Sequence, residues 1–501
     1  MLSTVTSCGR QGIEGYPMRV EVDVRDGLPM VDVVGLPDAA VRESRERVRT
    51  ALRNSGFPFP VAQITINLAP ADIKKEGPWY DLPIALGILA ASGRIPQEKL
   101  RGALALGTLS LDGSLAPVTG ALPMLLAARR AGIERALLPA QNARECACLS
   151  GIALYPVESL RQAAAFLCGE AEIAPLSLGE YAREMTAPHR MDLMISAMTR
   201  GGQWHCNQKC LHCYAAGQPL SDTAELTTAQ WKQVLDTLRR IGVPQVTFTG
   251  GEPTLRADLV ELVDAAQWFV SRLNTNGRLL TPELCRQLCE ASLDSVQVTL
   301  YSADPAIHNA LVGAAGFDDT VAGIRSAVAA GLSVSVNTPL CSVNSDYATT
   351  LRFVHDLGVR YVTCSGLIPS GSALGTESQA TALTEQQLTD VLSAAVKTAE
   401  ALEMEIDFTS PGWLKEETLR ALGLTLIPSC GACLSNMAIA PDGEIIPCQS
   451  WLSGKPLGNI LNDDWDAVWQ GERCAAIRAK SAKMEQLCQL RESNREEAVL
   501  C

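Results

Sequence analysis

The chain has 501 residues, enough for two or three domains, and a net charge of −13 that argues against generic attraction to nucleic-acid phosphates, so no nucleic-acid partner is expected. No apolar run reaches the roughly 18 residues of a membrane span, and the opening residues lack the charged-then-apolar pattern of an export signal, so a cytoplasmic protein without membrane association is expected. Without export, the 17 cysteines read as metal ligands and buried thiols rather than disulfides.

Residues 1–170 alternate strand-like and helical runs, with a strand from Arg19 to Val24, a helix from Asp38 to Ser55 and a strand from Gln63 to Leu68, which predicts a small α/β domain. The segments Val34-Gly35-Leu36-Pro37, Ile66 to Asp72, Lys75-Glu76-Gly77, Tyr80 to Ala85 and Leu106 to Gly113 resemble the N-terminal domain of the ComM/YifB family of magnesium-chelatase-like proteins. That resemblance implies a fold similar to the proteolytic domain of Lon, whose serine and lysine positions are taken here by Trp79 and Leu122. Protease activity is therefore not expected. The relatives continue into an ATPase motor, but no G-x4-G-K-[ST] loop occurs in this sequence, so ATP hydrolysis is not expected either.

Residues 171–190, with Pro175, Pro188 and mixed charges, read as a linker. Beyond it, residues 191–410 repeat strand then helix. The strands are expected at Leu193–Met198, Gln245–Thr249, Arg272–Thr275, Ser295–Leu300, Ser333–Thr338 and Tyr361–Ser365, with helices such as Thr228–Ile241, Asp258–Phe269, Thr281–Ala291, Asp319–Ala330 and Tyr347–Leu357 between them. Such alternation predicts a parallel sheet with crossover helices curling into a partial barrel, whose functional residues sit at the carboxyl ends of strands.

Two motifs fall at such ends. After the first strand comes Cys206-Asn-Gln-Lys-Cys210-Leu-His-Cys213, with gaps of three and two residues. Three soft thiolates on a compact loop suit three irons of one [4Fe–4S] cube and leave the fourth iron open for a ligand. After the second strand comes Gly250-Gly251-Glu252-Pro253, whose glycines let main-chain groups approach a ligand and whose Glu252 adds an acceptor. Cys341 and Cys364, at or within later strand ends, read as buried structural thiols.

Together these motifs resemble the radical S-adenosylmethionine (SAM) superfamily, with His212 at the family's aromatic position before the last cysteine. The resemblance implies a cluster that chelates SAM and donates one electron, after which SAM splits to methionine and a 5′-deoxyadenosyl radical that abstracts hydrogen from a substrate. It also marks Thr275, Thr299 and Asn337 as contacts to the carboxylate and ribose of SAM.

Residues 411–501 carry Cys430-Gly-Ala-Cys433 and then Cys448, with a hairpin turn expected at Pro441 to Glu444 that returns Cys448 beside Cys433. A cluster or a structural zinc ion would suit such ligands. The segment, including Leu457 to Ile460 and Trp465 to Trp469, resembles the SPASM/twitch extension of radical SAM enzymes, which implies an auxiliary [4Fe–4S] cluster. In the family register the later ligand positions fall on Cys488, Arg491, Glu497 and Cys501, so one cluster can be completed by Cys501, or less readily by Cys488, and a second cannot. A degenerate or truncated tail is expected.

The reading that follows is a radical SAM enzyme acting on a peptide or protein side chain and taking electrons from a donor such as flavodoxin or ferredoxin. The alternatives are radical modification of a small-molecule or cofactor precursor, and a non-catalytic assembly protein built on the ComM-like module.

Overall fold

A computed structural model of the chain describes residues 1–491 except 12, 13, 72, 74, 76, 148, 150, 177, 425 and 484–486; Cys501 therefore lies outside the described residues. The chain forms two compact units, 1–184 and 185–501.

The first unit holds a seven-stranded sheet of β1 (Leu2–Gln11), β2 (Glu14–Arg25), β3 (Met30–Val34), β4 (Gln63–Ala69), β5 (Ala103–Ala105), β6 (Arg135–Pro139) and β7 (Ala153–Val157), in the order β3-β4-β2-β1-β5-β6-β7. β4 alternates buried and half-buried residues, and Ile64, Ile66 and Leu68 on its buried face pack beneath helices Ala39–Asn54 and Asp81–Ala91. The second helix is buried along its whole length. Its Asp81 survives that burial because Arg47 Nε donates to the carboxylate at 2.8 Å and Leu109 N at 3.1 Å. Trp79 and half-buried Leu122 belong to the packed core. The helix Leu178–Glu184 lies within the stretch that the sequence reads as a linker.

The second unit is organised by a ten-stranded sheet. Its strands are β8 (Arg190–Ser196), β9 (Gln245–Gly250), β10 (Val270–Thr275), β11 (Ser295–Thr299), β12 (Ser333–Pro339), β13 (Tyr361–Ser365), β14 (Glu405–Phe408), β15 (Asn436–Ile439), β16 (Glu444–Ile446) and β17 (Gly458–Asn459). The order is β14-β13-β12-β11-β10-β9-β8-β15-β16-β17, and every pair from β14 to β15 is parallel. Helices Thr228–Ile241, Pro282–Glu290, Phe317–Ala329 and Tyr347–Asp356 form within two residues of their expected bounds, whereas the helix expected over 258–269 is confined to Leu259–Asp264.

Strand alternation separates two chemistries. Val246, Phe248, Leu273, Val296, Val298 and Val362 are buried on one face. On the other face, Thr247, Asn274, Gln297, Asn337 and Thr363 line one cavity of about 610 Å³. Parallel strands are usually apolar on both faces, so a polar inner face marks an interior kept open for a ligand.

Two features of this sheet were not expected. β14 adds a seventh core strand, from a run of four residues, Glu-Ile-Asp-Phe, whose alternation is too short to stand out. The C-terminal hairpin also extends the core sheet directly, with β15 pairing to β8 from Arg190↔Asn436 to Leu193↔Ile439. Trp465 Nε1 and Trp469 Nε1 then donate to the carbonyls of Thr186 and Met185, tying the tail to the first residues of this unit.

Candidate active site

The three-cysteine loop is held from several sides. His205 N donates to Met198 O just past β8, Lys209 N to Val312 O, and Leu211 N to Leu311 O. Gly313 is the only residue type that fits beside this loop, because a Cβ there would stand 2.5 Å from Lys209 O and φ is +61°. Ser378 Oγ donates to Leu211 O at 2.6 Å, and Ser372 N to Cys213 O. These anchors leave Cys206, Cys210 and Cys213 on the cavity wall.

Burial pushes the Cys206 thiol up to about 12, and burial raises Cys210 and Cys213 too, so a thiolate at any of the three needs a cation beside it. Among the described residues no three metal-ligating side chains converge on a single-ion site. Three thiolates on one cavity wall suit a cube, in which each thiolate meets a different iron. The donor set and its shared cavity therefore fit a [4Fe–4S] cluster.

The Gly-Gly-Glu-Pro turn follows β9 directly. A Cβ on Gly250 would stand 2.2 Å from Ser196 O, and one on Gly251 2.6 Å from Ala197 O, so both glycines let β9 close against the end of β8. Glu252 is 1% exposed and its carboxylate is surrounded by donors: Thr254 N at 3.0 Å, Thr254 Oγ1 at 2.5 Å, Thr275 Oγ1 at 2.6 Å and Asn276 N at 2.8 Å. Burial raises its pKa while these bonds pull the other way. Glu252 thus fastens the turn after β9 to the end of β10. Pro253 is buried and opens the short 3₁₀ turn Pro253–Leu255. Thr275, Thr299 and Asn337 line the cavity at the carboxyl ends of β10, β11 and β12. Thr275 spends its hydroxyl proton on Glu252, and Asn337 Oδ1 accepts from Thr363 Oγ1 at 2.8 Å.

His212 also lines the cavity. Its Nε2 meets Thr381 Oγ1 at 2.9 Å, its Nδ1 is buried with no partner in the structure, and burial lowers its pKa to about 4, so the ring is neutral near pH 7. Cys341 and Cys364 are fully buried, Cys341 in an apolar cluster with Tyr301 and Leu311.

The hairpin β15–β16 brings Cys448 back as its turn geometry requires, and Cys430, Cys448 and Cys488 line the same cavity as the first cysteine set. Ser481 Oγ and Gln489 Nε2 approach the Cys430 sulfur at 3.9 and 3.6 Å. Burial pushes Cys448 up to about 12. Cys433 is buried in a left-handed backbone conformation, φ +54°, and donates to Cys474, whose thiolate is favoured further by the Arg478 guanidinium 3.5 Å away. Cys474 carries no motif spacing and was invisible in the sequence. Tyr214, next to Cys213, was missed likewise: it lines the same cavity as both cysteine sets, and burial, with Cys213 and Cys448 nearby, raises its pKa.

Comparison with known proteins accounts for this arrangement in chain order. Residues 20–142 match the ChlI subunit of Mg-chelatase, residues 205–354 the radical SAM superfamily, and residues 430–490 SPASM, an iron–sulfur cluster-binding domain. The competence protein ComM of Haemophilus influenzae is 36% identical over 220 residues, 43% of this chain and 42% of that protein. The chain spans only about a third to two fifths of the length of the curated relatives that its N-terminal unit matches. Mycofactocin maturase MftC of Mycolicibacterium smegmatis is 31% identical over 278 residues (53% of this chain, 67% of the relative), and the PqqA peptide cyclase of Streptomyces rochei 30% over 275 (52% and 73%). Among solved structures, Streptococcus suis SuiB bound to its precursor peptide SuiA superposes with a TM-score of 0.51 at 15% identity, covering 68% of this chain and 77% of that one. The chain belongs to the radical SAM superfamily: it is a radical SAM enzyme whose cofactors are SAM and a [4Fe–4S] cluster, with a SPASM iron–sulfur domain behind a Mg-chelatase-like N-terminal region.

Proposed function

We propose that this enzyme cleaves SAM reductively and abstracts a hydrogen atom from a peptide or protein side chain. The observation that carries the reading is the convergence of Cys206, Cys210 and Cys213 with Gly250, Gly251, Glu252 and Thr275 on one cavity. Bound to the three thiolates, a [4Fe–4S] cluster supplies the electron that splits SAM into methionine and the 5′-deoxyadenosyl radical. The protein's share is positioning. Glu252 locks the turn after β9, Thr299 and Asn337 present polar groups to the carboxylate and ribose of SAM, and the buried apolar walls around Cys210 keep water from the reacting atoms.

The architecture assigned to this function is a partial (β/α)6 barrel of β8 to β13, extended by β14, that follows in the chain a Lon-protease-like first domain that has lost its dyad. Cys430, Cys433 and Cys448 are assigned to one auxiliary cluster; Cys488 lines the cavity wall together with Cys430 and Cys448. A peptide substrate is supported by the names of the relatives, a maturase and a peptide cyclase, and by a fold shared with a precursor-peptide complex. A small reductant protein such as flavodoxin or ferredoxin is assigned as electron donor.

The test is anaerobic reconstitution followed by iron and sulfide counts and an assay for 5′-deoxyadenosine. About eight irons per chain with cleavage supports both clusters, and about four confines the cofactor to the first cysteine set. Changing Cys206, Cys210 and Cys213 to alanine abolishes cleavage; cleavage that survives the triple change refutes the assignment.

A further inference from the structure

The cavity extends below the cysteine loops, toward residues that begin the strands rather than end them. Arg190 is the first residue of β8, Tyr361 the first of β13, and Arg272 the third of β10, and all three line the cavity that Cys206 and Thr275 also line. Two of the three are matched. Arg190 forms an ion pair with the buried Asp192 carboxylate, Nε lying 2.9 Å away and Nη2 donating at 3.4 Å, and Tyr361 Oη donates to Asp407 Oδ2 at 2.9 Å. Arg272 is different. Its Nε reaches only Ser295 Oγ, at 3.4 Å, and no ion pair of Arg272 occurs among the described residues.

A half-buried guanidinium on a cavity wall is usually held by an anionic or well-bonded partner. Here burial and the like charge of Arg190 both lower the pKa of Arg272, with Tyr361 and then Asp192 offsetting them in part. Directly across the strand pair stands Thr247, whose hydroxyl is buried, 2% exposed, lines the same cavity and has no partner in the structure. A planar donor fork beside a free hydroxyl donor is what one carboxylate requires.

We propose that Arg272, with the Thr247 hydroxyl beside it, binds a carboxylate of the peptide substrate and so sets which residue is presented for hydrogen abstraction. The assignment rests on the radical SAM reading of the same cavity. Thr275 lies three residues along β10, about 10 Å away at strand rise, so an anchored carboxylate places the reacting carbon within about three residues of the anchor. The carboxylate can be the C-terminus of the peptide or an acidic side chain close to the reacting residue.

Arginine-selective labelling with phenylglyoxal tests this on the reconstituted full chain, with Arg272 and the exposed Arg240 followed by peptide mass spectrometry. The probes are N-acetyl-triglycine, N-acetyl-Gly-Glu-Gly-amide, N-acetyl-Gly-Gln-Gly-amide and SAM. At ten times its Kd a carboxylate probe slows labelling of Arg272 about tenfold by mass action, while the glutamine peptide does not and Arg240 reacts at one rate throughout. Protection by triglycine alone assigns the C-terminal carboxylate, and protection by the glutamate peptide assigns a side chain. Equal rates with every probe, protection by the glutamine peptide, protection by SAM alone, or an Arg272 that never reacts each overturns the proposal. Assaying 5′-deoxyadenosine on the same preparation separates the two readings: cleavage without selective protection leaves the enzyme and removes the carboxylate site, and protection without cleavage does the reverse.

Discussion

Glu252 shows how one side chain can hold a cofactor pocket without reaching far into it. Three of its four bonds come from two loop ends, Thr254 and Thr275, and the fourth from Asn276 N, so the carboxylate is an acceptor for donors only. Glu252→Gln puts an amide donor against one of those donors. The expected cost is about 1–3 kcal/mol of stability together with weaker SAM binding, read by urea unfolding of the apoprotein and by SAM titration of the loaded enzyme. An unchanged unfolding midpoint would show that the network is not needed. His308 offers a residue-scale test of pH dependence. It is fully buried, accepts from Tyr301 N at Nδ1, and burial lowers its pKa to about 4. The unfolded chain takes up this proton near pH 6.5, whereas the folded chain does so only near pH 4. The stability due to neutral His308 is therefore complete above pH 6.5 and is lost as pH falls toward 4. In His308→Gln the drop in stability between pH 7 and pH 4.5 should be smaller than in the parent, and equal slopes would remove His308 as a cause.

At the scale of elements, the closure of β9 against β8 is what brings the glycine turn next to the cysteine loop. Gly250 takes φ +137°, and a Cβ there meets the Ser196 carbonyl at 2.2 Å. Gly250→Ala must push the strands apart or strain the turn, at about 1–3 kcal/mol by the usual cost of overpacking, and SAM affinity should fall with stability. Retained affinity in a destabilised variant would separate closure from binding. This junction was legible in the sequence because its residues are contiguous: Cys206 to Cys213 and Gly250 to Pro253 each keep their spacing whatever the fold does around them. Arg272, Cys474 and the His212–Thr381 contact were not legible, since each depends on residues that only the topology makes neighbours. Thr381 lies 169 positions from His212. β14 was lost for another reason, as four alternating residues give too weak a period to separate a strand from a loop. The hairpin at 441–444 was legible from its turn residues, but its pairing with β8 was not, because nothing local specifies which strand edge a hairpin will join.

For the whole molecule, the question is whether the first unit contributes to the chemistry of the second. Residues Val5 to Leu167 form one contiguous apolar core within the first unit, and the second unit has its own clusters around Met194 and Tyr301. A unit with its own core and its own backbone pairing can fold alone. The cysteine motifs, the glycine turn and the polar inner face all belong to residues 185–501. Expressed separately, that segment should take up as much iron per chain as the full protein and cleave SAM at a comparable rate. Calorimetry of the full chain should show two transitions, of which the segment retains one at an unchanged temperature. The Mg-chelatase-like match ends at residue 142, before the first cysteine motif, so cluster chemistry does not itself require the first unit. If 185–501 instead loads iron only when 1–184 is added back, the first unit is part of the enzyme's assembly.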